Sequence, residues 1–342
     1  MELPIAIVRH WFAEGEPVLR AVAAGRGFSG ARLWQVEHAG RLVAMRQWPL
    51  GVQAERLASI HKFQRKLATN NLPVPAPLET SEGATYVKAG RHFWELAPWM
   101  LGAADYWSDP RPAKLDAALR MLARIHLVAL PKVERWEMPA LIDNSYLRWG
   151  PLPSRIEKLN GLVYRRDVNR LRGAIDLLPA EEREPARLAL ELIERLGPRE
   201  LVRSARWDKV DLPHGMCLRD IWHDHVLFTG DEVTGVIDFG AAEGSAPAAD
   251  IARLLGSMVG DDQPRWAAGL AAYESVRPLT DEEREAVRFF DATGVVLSAA
   301  NWLQWLYGPS ASRLAGTFER NAALGRFNIL VGRLRHLEDA GV

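Results

Sequence analysis

Residues 218–240 read LRDIWHDHVLFTGDEVTGVIDFG, and this stretch decides the fold. Val226, Leu227 and Phe228 are apolar and β-prone, and Thr229-Gly230-Asp231-Glu232 is a turn cluster. Residues 233–237 resume the apolar run, which Gly240 punctuates. The pattern predicts a hairpin, with Asp220 on the loop before it and Asp238 just after it. A hairpin folds its ends together, so the two carboxylates are expected to be neighbours. Such a pair suits phosphoryl chemistry, in which one acid takes a proton from a hydroxyl while the other holds a divalent ion on a phosphate.

The segment resembles the catalytic core of the aminoglycoside phosphotransferase family, which includes choline-kinase-like and homoserine-kinase-like enzymes. In that family a His-Gly-Asp loop is followed, five residues after the Asp, by an Asn. Two strands come next, the second ending in an Asp. On this resemblance Asp220 takes the catalytic position and Asp238 the metal position. Leu218-Arg219 replaces His-Gly, and His225 replaces the metal-binding Asn. His225 is thus a candidate second metal ligand. Magnesium prefers oxygen ligands, so an imidazole there weakens a second Mg²⁺ or favours Mn²⁺. Arg219 echoes the His-Arg-Asp loop of protein kinases and is a candidate counter-charge for Asp220 or Asp250. His214-Gly215 is a decoy, because Met216 follows it and no metal ligand falls at the right offset. His223-Asp224-His225 could form a metal triplet by itself, though adjacent residues on a loop rarely all face one ion.

Composition limits the alternatives. The chain has 342 residues, long enough for one large or two ordinary domains, with 48% hydrophobic and 25% charged residues, as in soluble globular proteins. Lys+Arg and Asp+Glu both number 43, a zero balance that argues against a nucleic-acid partner. The single cysteine, Cys217, excludes an internal disulfide and a cysteine-rich zinc site, and fits a reducing cytoplasm. Cys217 reads as a small buried residue. No signal peptide and no membrane-spanning run is expected, nor any repeat.

Upstream, residues 1–20 read as a short helix feeding a sheet. Gly25-Arg26-Gly27-Phe28-Ser29-Gly30 is a glycine-rich turn opening a strand over 33–37, and another strand over 42–48 carries Arg46. Glycines let backbone N–H groups approach phosphates, although a plain hairpin turn fits as well. Residues 52–67 show helical spacing of Val52, Leu57, Ile60, Phe63 and Leu67. Pro73-Val74-Pro75 then begins an extended segment, followed by strands at 85–88 and 92–97. The resemblance implies that Gly25, Gly27, Phe28, Ser29 and Gly30 cover a nucleotide and that Arg46 takes the place of a phosphate-binding Lys. It implies that Glu55 pairs with that strand cation, and that Glu95, Pro98 and Met100 lie at the nucleotide by a hinge.

After residue 102 the chain turns helical. Helices are expected at 113–127, at 154–172 capped by Gly173, at 180–196 ended by Gly197-Pro198, and from Asp250 to Val259. Thr280-Asp281-Glu282-Glu283 reads as a capping box. Asp250 is expected to cap its helix or brace the loop. Trp302, Trp305 and Tyr307 could line an aromatic acceptor site for a cationic amine, or simply pack. Asp105, Asp109, Asp261 and Asp262 read as solvated charges that could also attract an aminosugar.

The fold expected is α+β and protein-kinase-like, with a small antiparallel-sheet lobe with one helix at 1–97, a hinge at 98–102 and a mainly helical lobe at 103–342. The function implied is transfer of a phosphoryl group from ATP or GTP, with Mg²⁺ or Mn²⁺, to a hydroxyl of a small acceptor. The protein is expected to be a cytoplasmic monomer or homodimer. The rival reading is a kinase-like module that binds nucleotide or a partner without catalysis. A protein kinase is disfavoured, as no Ala-Pro-Glu segment follows Asp238.

Overall fold

The computed structural model describes residues 4–22, 30–130, 151–164, 167–308 and 317–341. Its contacts divide the chain into two units. The sheet unit comprises Met1–Ala129, Asp220–Glu243 and Ala271–Arg277; the helical unit comprises Leu130–Arg219, Gly244–Leu270 and Pro278–Val342.

In the sheet unit a short helix α1 (Ile5–Val8) leads to five antiparallel strands: β1 (Val18–Ala21), β2 (Arg32–His38), β3 (Arg41–Gln47), β4 (Val87–Ala89) and β5 (His92–Pro98), in the order β1-β2-β3-β5-β4. Alternation directs Trp34, Val36, Val43 and Met45 inward, where Trp94 and Leu96 of β5 complete a core with Val8 and Leu19. The β2–β3 turn is tight, with Ala39 and Gly40 both at positive φ (48° and 73°), as a two-residue hairpin matched to strand twist requires. Helix α2 (Ala54–Thr69) buries Leu57, Ile60, Phe63 and Leu67, the spacing its sequence shows. Helix α3 (Pro112–Ala129) packs on α2.

The hairpin anticipated from residues 226–237 is present. Strands β7 (Val226–Thr229) and β8 (Glu232–Val236) pair antiparallel with an irregularity between Leu227 and Phe228. They are numbered after β6 (Gly215–Cys217) of the helical unit. The hairpin is fixed from two sides. Phe228 and Ala103 exchange both backbone hydrogen bonds (2.8 and 2.9 Å), and the Val236 N–H donates to Pro73 O (2.8 Å). Asp105 and Asp109 are not merely solvated charges. Both hold the buried Lys114 ammonium, at 2.8 and 2.9 Å, and that ammonium lies 5.5 Å from the Phe228 ring.

Gly102 lets the chain pass the hairpin closely. Its φ is +98°, and a Cβ there would lie 2.4 Å from Thr234 Oγ1 and 2.7 Å from Phe228 O. Gly102→Ala therefore meets both backbone strain and an immovable carbonyl. It is expected to destabilise the protein by about 2–4 kcal/mol in urea unfolding; an unchanged midpoint would contradict this packing.

The helical unit contains α4 (Pro151–Tyr164), α5 (Asp167–Asp176), α6 (Ala180–Ser204), β6 paired with β9 (Glu243–Ser245), α7 (Pro247–Val259), α8 (Gln263–Glu274), α9 (Asp281–Tyr307) and α10 (Thr317–Asp339). The last turn of α8 and the first residue of β9, Glu243, belong to the sheet unit. Two helix boundaries differ from the sequence expectation. The helix expected over 154–172 is two helices, α4 and α5, and Gly173 lies inside the second. Helix α6 runs through Pro198 to Ser204, because Leu196, Gly197, Glu200 and Ser204 stay buried along one face and packing outweighs one missing backbone donor. Helix α7 begins at Pro247, three residues before Asp250. The capping box at Thr280 is formed in full. Among the described residues no helix is long and apolar enough to cross a membrane.

Candidate active site

The loop that carries Asp220 is shaped by its own backbone partners. In the helical unit the Asp250 carboxylate, fully buried, accepts from the N–H groups of Leu218 and Arg219, both at 2.7 Å. Asp250 thus braces the loop instead of capping α7. Arg219 has φ +62°, a left-handed conformation that glycine adopts without cost and that an L side chain resists. The two charge-assisted bonds to Asp250 hold it there. Asn at 250 offers one acceptor oxygen for two N–H groups, so Asp250→Asn should cost about 1–3 kcal/mol. A fall in melting temperature together with a lower turnover rate is the expected result; unchanged turnover would separate the brace from the loop's function.

In the sheet unit a short 3-10 turn, His223–His225, carries the loop into β7. His225 organises this turn. Trp222 Nε1–H donates to His225 Nε2 at 2.9 Å, so that nitrogen is an acceptor. The ring proton is then on Nδ1, which donates to the Asp220 carbonyl at 2.9 Å. The same ring's Nε2 lies 3.8 Å from Asp238 Oδ2. One imidazole therefore spans from the Asp220 peptide to the Asp238 carboxylate. Its Nε2 lone pair is engaged by the Trp222 indole, so His225 as a metal ligand would require Trp222 to let go. His223 takes another direction, stacking on Trp107 at 4.6 Å with Asp224 3.4 Å away. The 223–225 triplet does not face one point.

Asp238 also has a left-handed φ, +62°, unusual for a residue with a side chain and a mark of local strain. Arg46 NH2 and the Gly240 N–H both donate to its Oδ1, at 3.2 and 3.3 Å. Phe239 is buried and meets Phe63 of α2 edge-on, with centroids 5.8 Å apart. Arg56, also on α2, donates to Gly240 O at 3.3 Å. Arg46 rises from β3, and its guanidinium lies over the Trp48 ring, 4.4 Å from the centroid. Burial pushes the Asp238 carboxyl up, but the Arg46 guanidinium, helped by the Gly240 N–H, holds it below the ordinary carboxylate value. Asp238 is thus ionised at neutral pH, with 40% of its side chain exposed. Glycine at 240 makes room for this arrangement, since a Cβ would lie 3.0 Å from Arg46 NH2 and 3.2 Å from Asp238 Oδ1.

Two expected nucleotide contacts are placed differently. Glu55 is exposed in the first turn of α2 and makes no ion pair among the described residues; Arg46 pairs with Asp238 instead. Glu95 is buried, and its Oε2 accepts from Trp48 Nε1–H (2.7 Å) and meets His61 Nε2 (2.6 Å). Glu95 thus locks α2 to the sheet and is not presented to a ligand. Pro98 ends β5 and offers only a carbonyl. The next N–H, of Trp99, donates to Leu42 O, whereas the Met100 N–H has no backbone partner among the described residues. Gly30 is described, with φ +74°; Gly25, Gly27, Phe28 and Ser29 lie outside the described residues.

In the helical unit, Trp302 and Trp305 meet edge to face at 5.1 Å, half-buried on α9. Tyr307 is buried against Phe327. Asp261 pairs with Arg333 at 2.9 Å and is thus engaged within the helical unit.

The sequence pattern of the phosphotransferase enzyme family matches residues 19–290, which contain the sheet, the loop, the hairpin and Asp250. The chain belongs to this family. Among its relatives, a homoserine kinase of Gluconacetobacter diazotrophicus is 44% identical over 82 residues, 22% of this chain and 26% of that protein. A homoserine kinase of Methylobacillus flagellatus is 25% identical over 266 residues, 76% of this chain and 72% of that protein. The first alignment thus spans about a quarter of its relative. A spectinomycin phosphotransferase crystallised with ADP and spectinomycin superposes with a TM-score of 0.65 at 14% identity, covering 98% of this chain and 97% of that one. The α+β, kinase-like fold anticipated from the hairpin is therefore the fold of this phosphotransferase-family member.

Trp48, His61 and Trp222 carry weight in the site that their sequence positions do not announce. Trp48 had a usable signal, because residues two apart on a strand share a face and Arg46 precedes it by two. His61 and Trp222 had none, since their partners come from tertiary contact and from a turn of unknown geometry.

Proposed function

We propose that this chain is a small-molecule kinase, transferring the γ-phosphoryl group of ATP or GTP to a hydroxyl of a small acceptor. The observation that carries the reading is the ionised Asp238 paired with Arg46 at 3.2 Å, one imidazole ring from the peptide of Asp220. An exposed carboxylate oxygen beside an arginine fits a hard divalent ion and phosphate oxygens. Asp238 would hold Mg²⁺ or Mn²⁺, which when bound neutralises charge on the phosphates. Arg46, freed from Asp238 by that ion, would meet a phosphate oxygen. The Met100 N–H would donate to the purine edge. Asp220 would orient the acceptor hydroxyl and take its proton. As the acceptor oxygen bonds to the γ-phosphorus, the bond to the β-phosphate's bridging oxygen breaks and the nucleoside diphosphate leaves with that electron pair. Positioning and charge account for most of such a rate enhancement. The names of the relatives support small hydroxylated acceptors, homoserine among them.

The test has two parts. Melting temperature should rise with ATP or GTP in Mg²⁺. Release of the diphosphate should exceed the acceptor-free rate for at least one compound among amino alcohols, aminoglycosides, homoserine and sugars. No shift and no acceptor-dependent release would end the reading. The engagement of His225 Nε2 by Trp222 favours a second reading, nucleotide binding without transfer; a thermal shift without release by any acceptor would select it.

A further inference from the structure

Within the sheet unit, helix α2 reaches the turn at residues 238–240 with two side chains. The Arg56 guanidinium donates to Gly240 O at 3.3 Å and lies 3.9 Å from Glu243 Oε1. Two turns further along α2, Phe63 meets the buried Phe239 ring, with centroids 5.8 Å apart. Ile60, fully buried, lies between them, so positions 56, 60 and 63 make one stripe of the helix at i, i+4 and i+7. Glu55 is off that stripe, exposed, and makes no ion pair among the described residues. The charged link from α2 to the site therefore runs through Arg56, and it goes to backbone.

That backbone is where the site needs an anchor. Asp238 keeps a φ of +62°, a conformation that persists only where its surroundings hold it. Its Oδ1 accepts from the Arg46 guanidinium at 3.2 Å and from the Gly240 N–H at 3.3 Å. In the kinase reading a divalent ion on Asp238 releases Arg46 toward a phosphate oxygen. The Gly240 N–H then continues to orient Oδ1. Glycine has the widest backbone freedom of any residue, so a contact that fixes Gly240 from outside matters most there. Arg56 supplies that contact at the Gly240 carbonyl. Its charge is directed at a neutral acceptor and has Glu243 beside it, whereas Arg46 faces the metal carboxylate itself.

We propose that Arg56 is a positioning residue for the metal carboxylate: by clamping Gly240 from α2, it keeps the Gly240 N–H on Asp238 Oδ1 when Arg46 turns to the nucleotide. This rests on the kinase reading above. Arg56 touches neither ion nor phosphate in this role. Its loss weakens retention of the metal and leaves the contact between Arg46 and the nucleotide in place.

The test follows the melting temperature of the full chain. Mg²⁺ is titrated at a fixed concentration of ATP or GTP, whichever stabilises the wild type more, and the same nucleotide is added without metal. In Arg56→Ala the Mg²⁺ concentration that gives half the shift should rise about ten-fold or more, the scale on which a residue behind a metal ligand acts. The metal-free nucleotide shift should keep its wild-type size. Arg56→Lys, which retains a donor and the charge, should recover most of the metal response. Arg56→Met keeps the packing of the stem without the donor, and it should match Arg56→Ala even if the smaller side chain costs stability. An unchanged Mg²⁺ half-point in Arg56→Ala and Arg56→Met, beside a wild type that responds to Mg²⁺, would overturn the role of Arg56 alone. Loss of the metal-free shift along with the metal response would make Arg56 a direct phosphate contact and overturn the proposal. A wild type with no Mg²⁺-dependent shift would sink the kinase reading and this proposal together.

Discussion

Asp238→Ala is expected to lower kcat/KM by at least about 10²–10³-fold, the scale on which loss of one preorganised electrostatic group acts. The loss should fall on nucleotide use. Wild-type protein is expected to show a Mg²⁺-dependent rise in melting temperature with nucleotide, and the variant to lose the metal dependence of that rise. The substitution also strands Arg46, which has no other ion pair among the described residues, over Trp48. Its positive charge could then still attract phosphate, so weak metal-independent nucleotide binding should survive. Fold stability at neutral pH should change little, because the pair is partly exposed and such pairs contribute modestly. Since the folded carboxyl is held below its ordinary value, its stabilising share is present above about pH 4 and is lost only as pH falls through the lowered pKa. Turnover and metal-dependent stabilisation that persist in the variant would exclude Asp238 as the metal ligand.

Asp220→Asn is expected to separate chemistry from binding. A positioned general base contributes about 10²–10⁴-fold to rate, so kcat should fall by that factor. Asn keeps the shape of the side chain, and the His225 hydrogen bond goes to the Asp220 backbone carbonyl, which the substitution leaves in place. Nucleotide affinity and its metal dependence should therefore stay near wild type. This split, kcat lost with nucleotide binding kept, is the opposite of the pattern expected for Asp238→Ala. A variant with nearly full kcat would assign the base elsewhere.

Legibility in the sequence followed the range of the interactions. The hairpin was readable because β-propensity, alternation and the Thr229–Glu232 turn cluster are local, and β7 and β8 fall within a residue or two of the expected strands. The Thr280 capping box and the apolar face of α2 were readable for the same reason. The partner of Arg46 was not, because sequence offers several acids at equal distance and only packing selects Asp238, 192 residues away. Glu95 differs from its expected role because its neighbours along the strand say nothing of His61, which reaches it from α2. Helix α6 passed a Gly-Pro pair because burial of its face outweighed a local stop signal.

We propose that Asp220 and Asp238, at the two ends of one hairpin, carry the phosphoryl transfer of this chain. Phosphorus NMR of wild type and Asp220→Asn, each with ATP, Mg²⁺ and the acceptor that the release screen selects, tests it most directly. A phosphomonoester resonance that grows with ADP in the wild type and is lost or slowed at least about a hundred-fold in the variant is the predicted result. Equal phosphomonoester formation by both proteins, or ADP appearing only with inorganic phosphate, would contradict it.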